Sequence, residues 1–103
     1  MQAEKELPSV RIRCAFPRPV DADLDQEVER SLREFFQGDP GFVNVRHWTV
    51  GWTVAPHTTT TFRTIWASDA QADDAAVRAS DWEHSNEERF GWQTCDITAE
   101  RTP

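Results

Sequence analysis

The chain of 103 residues has no tyrosine, one methionine, two cysteines and four glycines. It also lacks any apolar run approaching the ~18 residues that a membrane-spanning helix needs. Its first residues, Met1 to Glu6, are polar and carry no secretion-signal pattern, so a cytoplasmic protein without a membrane segment is expected. Nothing physical explains the missing tyrosine. Cys14 and Cys95 stand alone in apolar surroundings with no Cys-x-x-Cys spacing, which argues against a dithiol or zinc motif. Buried reduced thiols are the plain expectation, and a cross-strand disulfide is the alternative if the first and last strands pair.

The glycines Gly38, Gly41, Gly51 and Gly91 are too scattered for a phosphate-cradling loop. Nucleophile-elbow and His-Glu-x-x-His patterns are absent, which speaks against serine hydrolase and zincin chemistry. Positive charge is scarce as well. The formal net charge is −7, and residues 68–100 hold nine acids against two bases. Such a balance disfavours direct nucleic-acid binding and anionic membranes, and suits either a solvated helix face or a basic protein partner.

What the chain does contain is enough apolar and aromatic material for one core, including six Phe and five Trp. The pattern predicts a single α+β domain over residues 9–100, with residues 1–8 a flexible tail and 101–103 a second one. Val10, Ile12, Cys14 and Phe16 alternate as a strand that Pro17-Arg18-Pro19 ends. Asp21 or Asp23 caps a helix with apolar positions Leu24, Val28, Leu32, Phe35 and Phe36, and Gly38 stops it. A long strand follows from Phe42 to Val54, with a change of apolar phase that predicts a bulge near Arg46-His47 or burial on both faces. Ala55-Pro56-His57-Thr58 makes a hairpin to a third strand over about Thr59 to Ala67. Ser68 with Gln71 has capping-box spacing and opens a second helix with the small stripe Ala72, Ala75, Ala76 and Ala79 anchored by Trp82. The last strand is predicted over about Phe90 to Ala99.

This β-α-β-β-α-β order predicts a ferredoxin-like sandwich: four antiparallel strands in the order 4-1-3-2, with two helices on one face. A second small α+β meander is the competing topology. Along the strands, Trp48 and Trp52, Phe62 and Trp66, and Phe90 and Trp92 fall at alternating positions. They are therefore predicted to line the sheet face that the helices leave open, as an interface or ligand site. His47, Arg46 and Asn44 are the candidate polar groups beside that face. Arg11, Arg13, Arg46 and Arg63 either join the indoles there to hold an anionic or planar ligand, or pair with acids at the sheet edges. His57 is expected exposed at the hairpin tip. His84, Glu87 and Glu88 share a helical spacing that reads as a solvated acidic turn, and no metal is expected. Aromatic residues on an open four-stranded sheet also suggest RNA recognition, but the basic-glycine-aromatic string of that class is missing and the charge has the wrong sign.

Pro40-Gly41-Phe42-Val43 behind an amphipathic helix, with Ile65-Trp66-Ala67-Ser68 closing the third strand before an acidic helix, resembles the dimeric α+β barrel group. The likeness is to the antibiotic-biosynthesis-monooxygenase-like domains and spans residues 10–98. It implies two sheets packed open face to open face as a homodimer, in a group that includes small-molecule monooxygenases, haem-degrading enzymes and proteins without known activity. The haem-degrading branch needs an Asn on the first strand, where this chain has Val10-Arg11-Ile12-Arg13, so no cofactor is expected. Two functions follow as expectations. One is a cytoplasmic binding or regulatory module that dimerises or captures a partner through its aromatic sheet face, with the acidic second helix open to a basic protein. The other is a monooxygenase-like enzyme acting on a planar aromatic molecule held between the tryptophans.

Overall fold

A computed structural model describes residues 4–101 except 52–57, together with the backbone but not the side chains of residues 49–51. Trp52, Val54, His57 and the predicted hairpin tip therefore lie outside the described residues. After a short 3-10 turn at Glu4–Glu6 the elements run β1 (Ser9–Phe16), α1 (Ala22–Phe36), β2 (Phe42–Gly51), β3 (Thr58–Trp66), α2 (Asp69–Phe90) and β4 (Thr94–Glu100). The strands form one antiparallel sheet in the order β2-β3-β1-β4, the ferredoxin-like arrangement that the element order implies. Among the described residues no helix is long and apolar enough to cross a membrane.

Both helices cover the same face. Val10, Ile12, Cys14 and Phe16 from β1 share one buried cluster with Val28, Leu32 and Phe36 of α1 and with Ala72, Ala75, Ala79 and Trp82 of α2. The alanine stripe lets α2 lie close to the sheet, because a side chain without a γ-carbon holds the helix axis near the strands. Asp21 caps α1 by accepting from the Leu24 N–H at 2.8 Å, as its position before the apolar repeat predicts. Ser68 caps α2 through the Gln71 N–H at 3.3 Å, while its hydroxyl donates to the Gln71 side chain.

Three boundaries differ from the sequence expectation. The irregularity in β2 falls between Phe42 and Asn44, and pairing with β3 is regular through Arg46 and His47. It lets both Phe42 and Val45 turn towards the helices, which is the phase change seen in the sequence. Secondly, α2 continues to Phe90 and β4 begins only at Thr94, so Phe90 and Trp92 are not strand residues. The polar stretch Ser85 to Glu88 stays helical because Trp82, Asn86 and Phe90 repeat on one face, with Asn86 bonded to the Trp82 carbonyl at 2.8 Å. Gly91, at φ 77°, then supplies the left-handed stop. Thirdly, residues 4–8, read above as part of a tail, are bonded to the sheet.

Candidate binding face of the sheet

Strand register decides where the aromatic residues go. Ile12 of β1 stands opposite Phe62 of β3, and Val10 opposite Thr64, so Phe62 and Trp66 share the helix-side face with the apolar residues of β1. Trp66 is 1% exposed and packs against Phe36 and Phe42 at 5.1 and 5.4 Å between ring centroids. At the other end of the core Trp92 stacks on Trp82 at 5.2 Å and on Phe90 at 5.9 Å. The predicted aromatic outer face is thus corrected: Phe62, Trp66, Phe90 and Trp92 are core residues beneath the helices. Trp48, opposite Thr61 and 48% exposed, remains on the outer face.

The expected polar trio divides between faces for the same reason. Neighbouring strand residues point to opposite sides. His47 turns to the helices, where its Nδ1–H donates to Glu29 Oε1 at 3.0 Å and its ring lies 5.7 Å from Phe62. Asn44 and Arg46 turn outward to Glu4. These three side chains do not converge on one reacting centre. Cys14 and Cys95 are direct register partners with free thiols, their sulfurs 3.9 Å apart. The Cys95 contact and burial both push the Cys14 thiol up, so it stays protonated. On α2, Glu83, His84 and Glu87 bring ligand atoms within 4.8 Å of one another on a largely exposed turn. Exposed acidic groups of this kind are ordinary on helix surfaces.

In place of indoles, the outer face carries arginines. Arg46 of β2 stands directly opposite Arg63 of β3, and Arg63 directly opposite Arg11 of β1. Three guanidinium groups therefore form one row across three strands that lie roughly 4.8 Å apart. The next row on the same face is Trp48, Thr61, Arg13 and Asp96. Like charges placed directly opposite one another destabilise a sheet unless anions or acceptors lie among them. The row has such partners. Glu4 takes Arg46 in a forked pair, Nε to Oε1 at 3.0 Å and Nη2 to Oε2 at 3.1 Å, and also accepts from Asn44 at 3.1 Å. Arg63 donates to the backbone carbonyls of Glu4 and Leu7, both at 3.3 Å, and to Ser9 Oγ at 3.1 Å. Arg11 meets Glu100 at 3.4 Å. Arg46, followed by Asn44, holds the Glu4 carboxyl below the usual range.

Segment 4–8 lies over this half of the outer face. Ile65, an outward-facing residue outside the core cluster, is fully buried in consequence. The neighbouring part, with Trp48 and Arg13 exposed, has no such cover among the described residues. Charge separates between the layers. The strands hold four arginines against two acids, whereas the two helices hold twelve acids against four arginines. Sequence reading named all four arginines but could not show that three of them share a row, because that requires the register. It missed Glu4 altogether, since a polar end with no apolar repeat carries no local sign of docking. No protein-family model matches the chain, and no curated protein matches it.

Proposed function

We propose that this protein is a binding module that engages an anionic partner through the outer face of its sheet. Trp48 is the apolar anchor, and Arg13 with the arginine row supplies the charge. The observation that carries this reading is the direct register of Arg46, Arg63 and Arg11 on an otherwise acidic chain. A protein with a net charge of −7 that sets four of its eleven Lys and Arg on one sheet face presents a local positive field there, and the arginine row is of the kind that takes anions and carbonyl oxygens, as Glu4, Leu7 and Glu100 show. An exposed indole beside guanidinium groups is the composition of an interface anchor. The acidic outer surface of α2, with Asp74, Asp81, Glu87 and Glu88 exposed, stays available to a basic partner.

Two earlier expectations receive less support. A homodimer formed face to face would set one arginine row against another, with Trp48 as the one large exposed aromatic among the described residues to offset the repulsion. The enzyme reading loses its aromatic substrate walls to the core, and its polar trio to opposite faces.

Heparin–agarose chromatography at pH 7 and low salt tests the proposal. An acidic protein is ordinarily excluded from a polyanion matrix. Retention is expected, and its loss on combined Trp48→Ala and Arg13→Glu substitution with unchanged circular dichroism. Flow-through of the unmodified protein, or retention unaffected by the substitutions, contradicts it.

A further inference from the structure

The bonds of Glu4 and Leu7 indicate the chemistry that the arginine row selects. Arg46 and Asn44 grip a carboxylate, and Arg63 takes two peptide carbonyls three residues apart in one chain. A carboxylate and spaced backbone carbonyls together describe a peptide. The Arg46 fork would take a phosphate as well as a carboxylate, so it is the paired carbonyls on Arg63 that favour a peptide. The occupant seen is the chain's own Glu4–Leu7, which runs directly into Pro8, a buried residue whose carbonyl accepts from the Trp66 N–H at 2.9 Å. The turn Glu4–Glu6 buries no residue and is held chiefly by the polar bonds of Glu4, whereas apolar burial begins at half-buried Leu7. Lys5 and Glu6 are exposed, and Glu4 is the carboxylate of the turn that bonds to the row. One carboxylate from the segment thus serves a three-arginine row whose far end is completed by Glu100. The row is followed on the same face by Arg13 and Trp48, both exposed and roughly 7 Å further along the strands, with Asp96 opposite Arg13, so a longer occupant would meet a further guanidinium and an apolar anchor together.

We propose that the arginine row is a recognition site for an acidic peptide segment of a partner protein, and that Glu4–Leu7 is the resident competitor which that segment displaces. This rests on the reading of the sheet face as a binding surface. A carboxylate of the partner takes the place of Glu4 on Arg46, its backbone carbonyls take Arg63, and its following residues reach Arg13 and Trp48. Affinity is then set by the difference between the resident and the incoming peptide.

The test is fluorescence anisotropy with fluorescein-labelled hexaglutamate at about 50 mM salt, where surface charge is weakly screened. Fluorescein-labelled dodecauridylate serves as the nucleic-acid probe. The unmodified protein, Glu4→Gln, Arg63→Gln, Trp48→Ala and Arg13→Ala are compared, each checked for unchanged circular dichroism. Glu4→Gln weakens the competitor and leaves the row intact, so it is expected to bind hexaglutamate roughly fivefold more tightly than the unmodified protein. Arg63→Gln is expected to lose most of that binding. If Glu4→Gln binds no more tightly while Trp48→Ala and Arg13→Ala weaken binding, the competitor role falls and the binding face stands. Tighter binding of dodecauridylate than of hexaglutamate overturns the peptide assignment. Absence of hexaglutamate binding to every variant overturns the peptide proposal, and heparin retention then decides whether the binding face survives.

Discussion

Trp48 and Trp82 have the same side chain and opposite meanings, and the difference is where each atom of the indole lies. Trp82 is 1% exposed, stacks on Trp92, and donates its Nε1–H to Ser31 Oγ at 2.9 Å, tying α2 to α1. Trp48 keeps nearly half its surface in water. Truncation at the two positions should therefore separate stability from binding. Trp82→Ala empties the core between the helices and is expected to cost about 3–5 kcal/mol in urea unfolding. Trp48→Ala creates no cavity and should change stability by less than about 0.5 kcal/mol while weakening heparin retention. Equal losses of stability from the two would mean that Trp48 is covered in solution. Alternation within a strand was legible from the sequence, and it grouped Phe62 with Trp66 on one face. Which face that was depended on pairing with β1, where Ile12 meets Phe62. A strand's own period carries no information about its phase relative to its neighbour.

At the scale of elements, the caps, the helix faces and the strand order were readable because each rests on local chemistry or on chain connectivity. Asp21, Ser68 and the alanine stripe lie where hydrogen-bonding and packing rules put them. Two features were not readable. The helical period of Trp82, Asn86 and Phe90 is interrupted by polar neighbours, which concealed the last two turns of α2. The docking of residues 4–8 depends on arginines some forty and sixty residues away, so no window along the chain displays it. That docking has a pH signature. The Arg46 and Asn44 bonds depress the Glu4 carboxyl in the folded protein, so the segment's attachment is complete above the ordinary carboxylate value of about 4.3. It is lost as pH falls through the lowered folded value. Carbon NMR of the Glu4 carboxyl, read with protection of the Leu7 amide that donates to the Glu4 carbonyl at 3.1 Å, should show the two changing together. In Glu4→Gln the Leu7 transition over that range should vanish. A Leu7 amide indifferent to Glu4 protonation would show that the carboxylate does not hold the segment.

For the molecule as a whole, the two-layer fold sorts charge as well as hydrophobicity. Most of the described aromatic residues lie in a core between sheet and helices, the helices carry twelve acids against four arginines, and the four arginines of the strands stand on the sheet's outer surface against two acids. Net charge alone does not show the arginines of the sheet face, because composition sums over surfaces that face in opposite directions. The indole N–H resonances provide the most direct measurement of the central claim, that the outer sheet face is the binding surface. Titrating hexaglutamate into nitrogen-15-labelled protein should move the Trp48 indole and the amides of Arg13 and Thr61, and leave the indoles of Trp66, Trp82 and Trp92 in place. Shifts confined to α2, or a Trp48 resonance that stays still while the core tryptophans move, would contradict it.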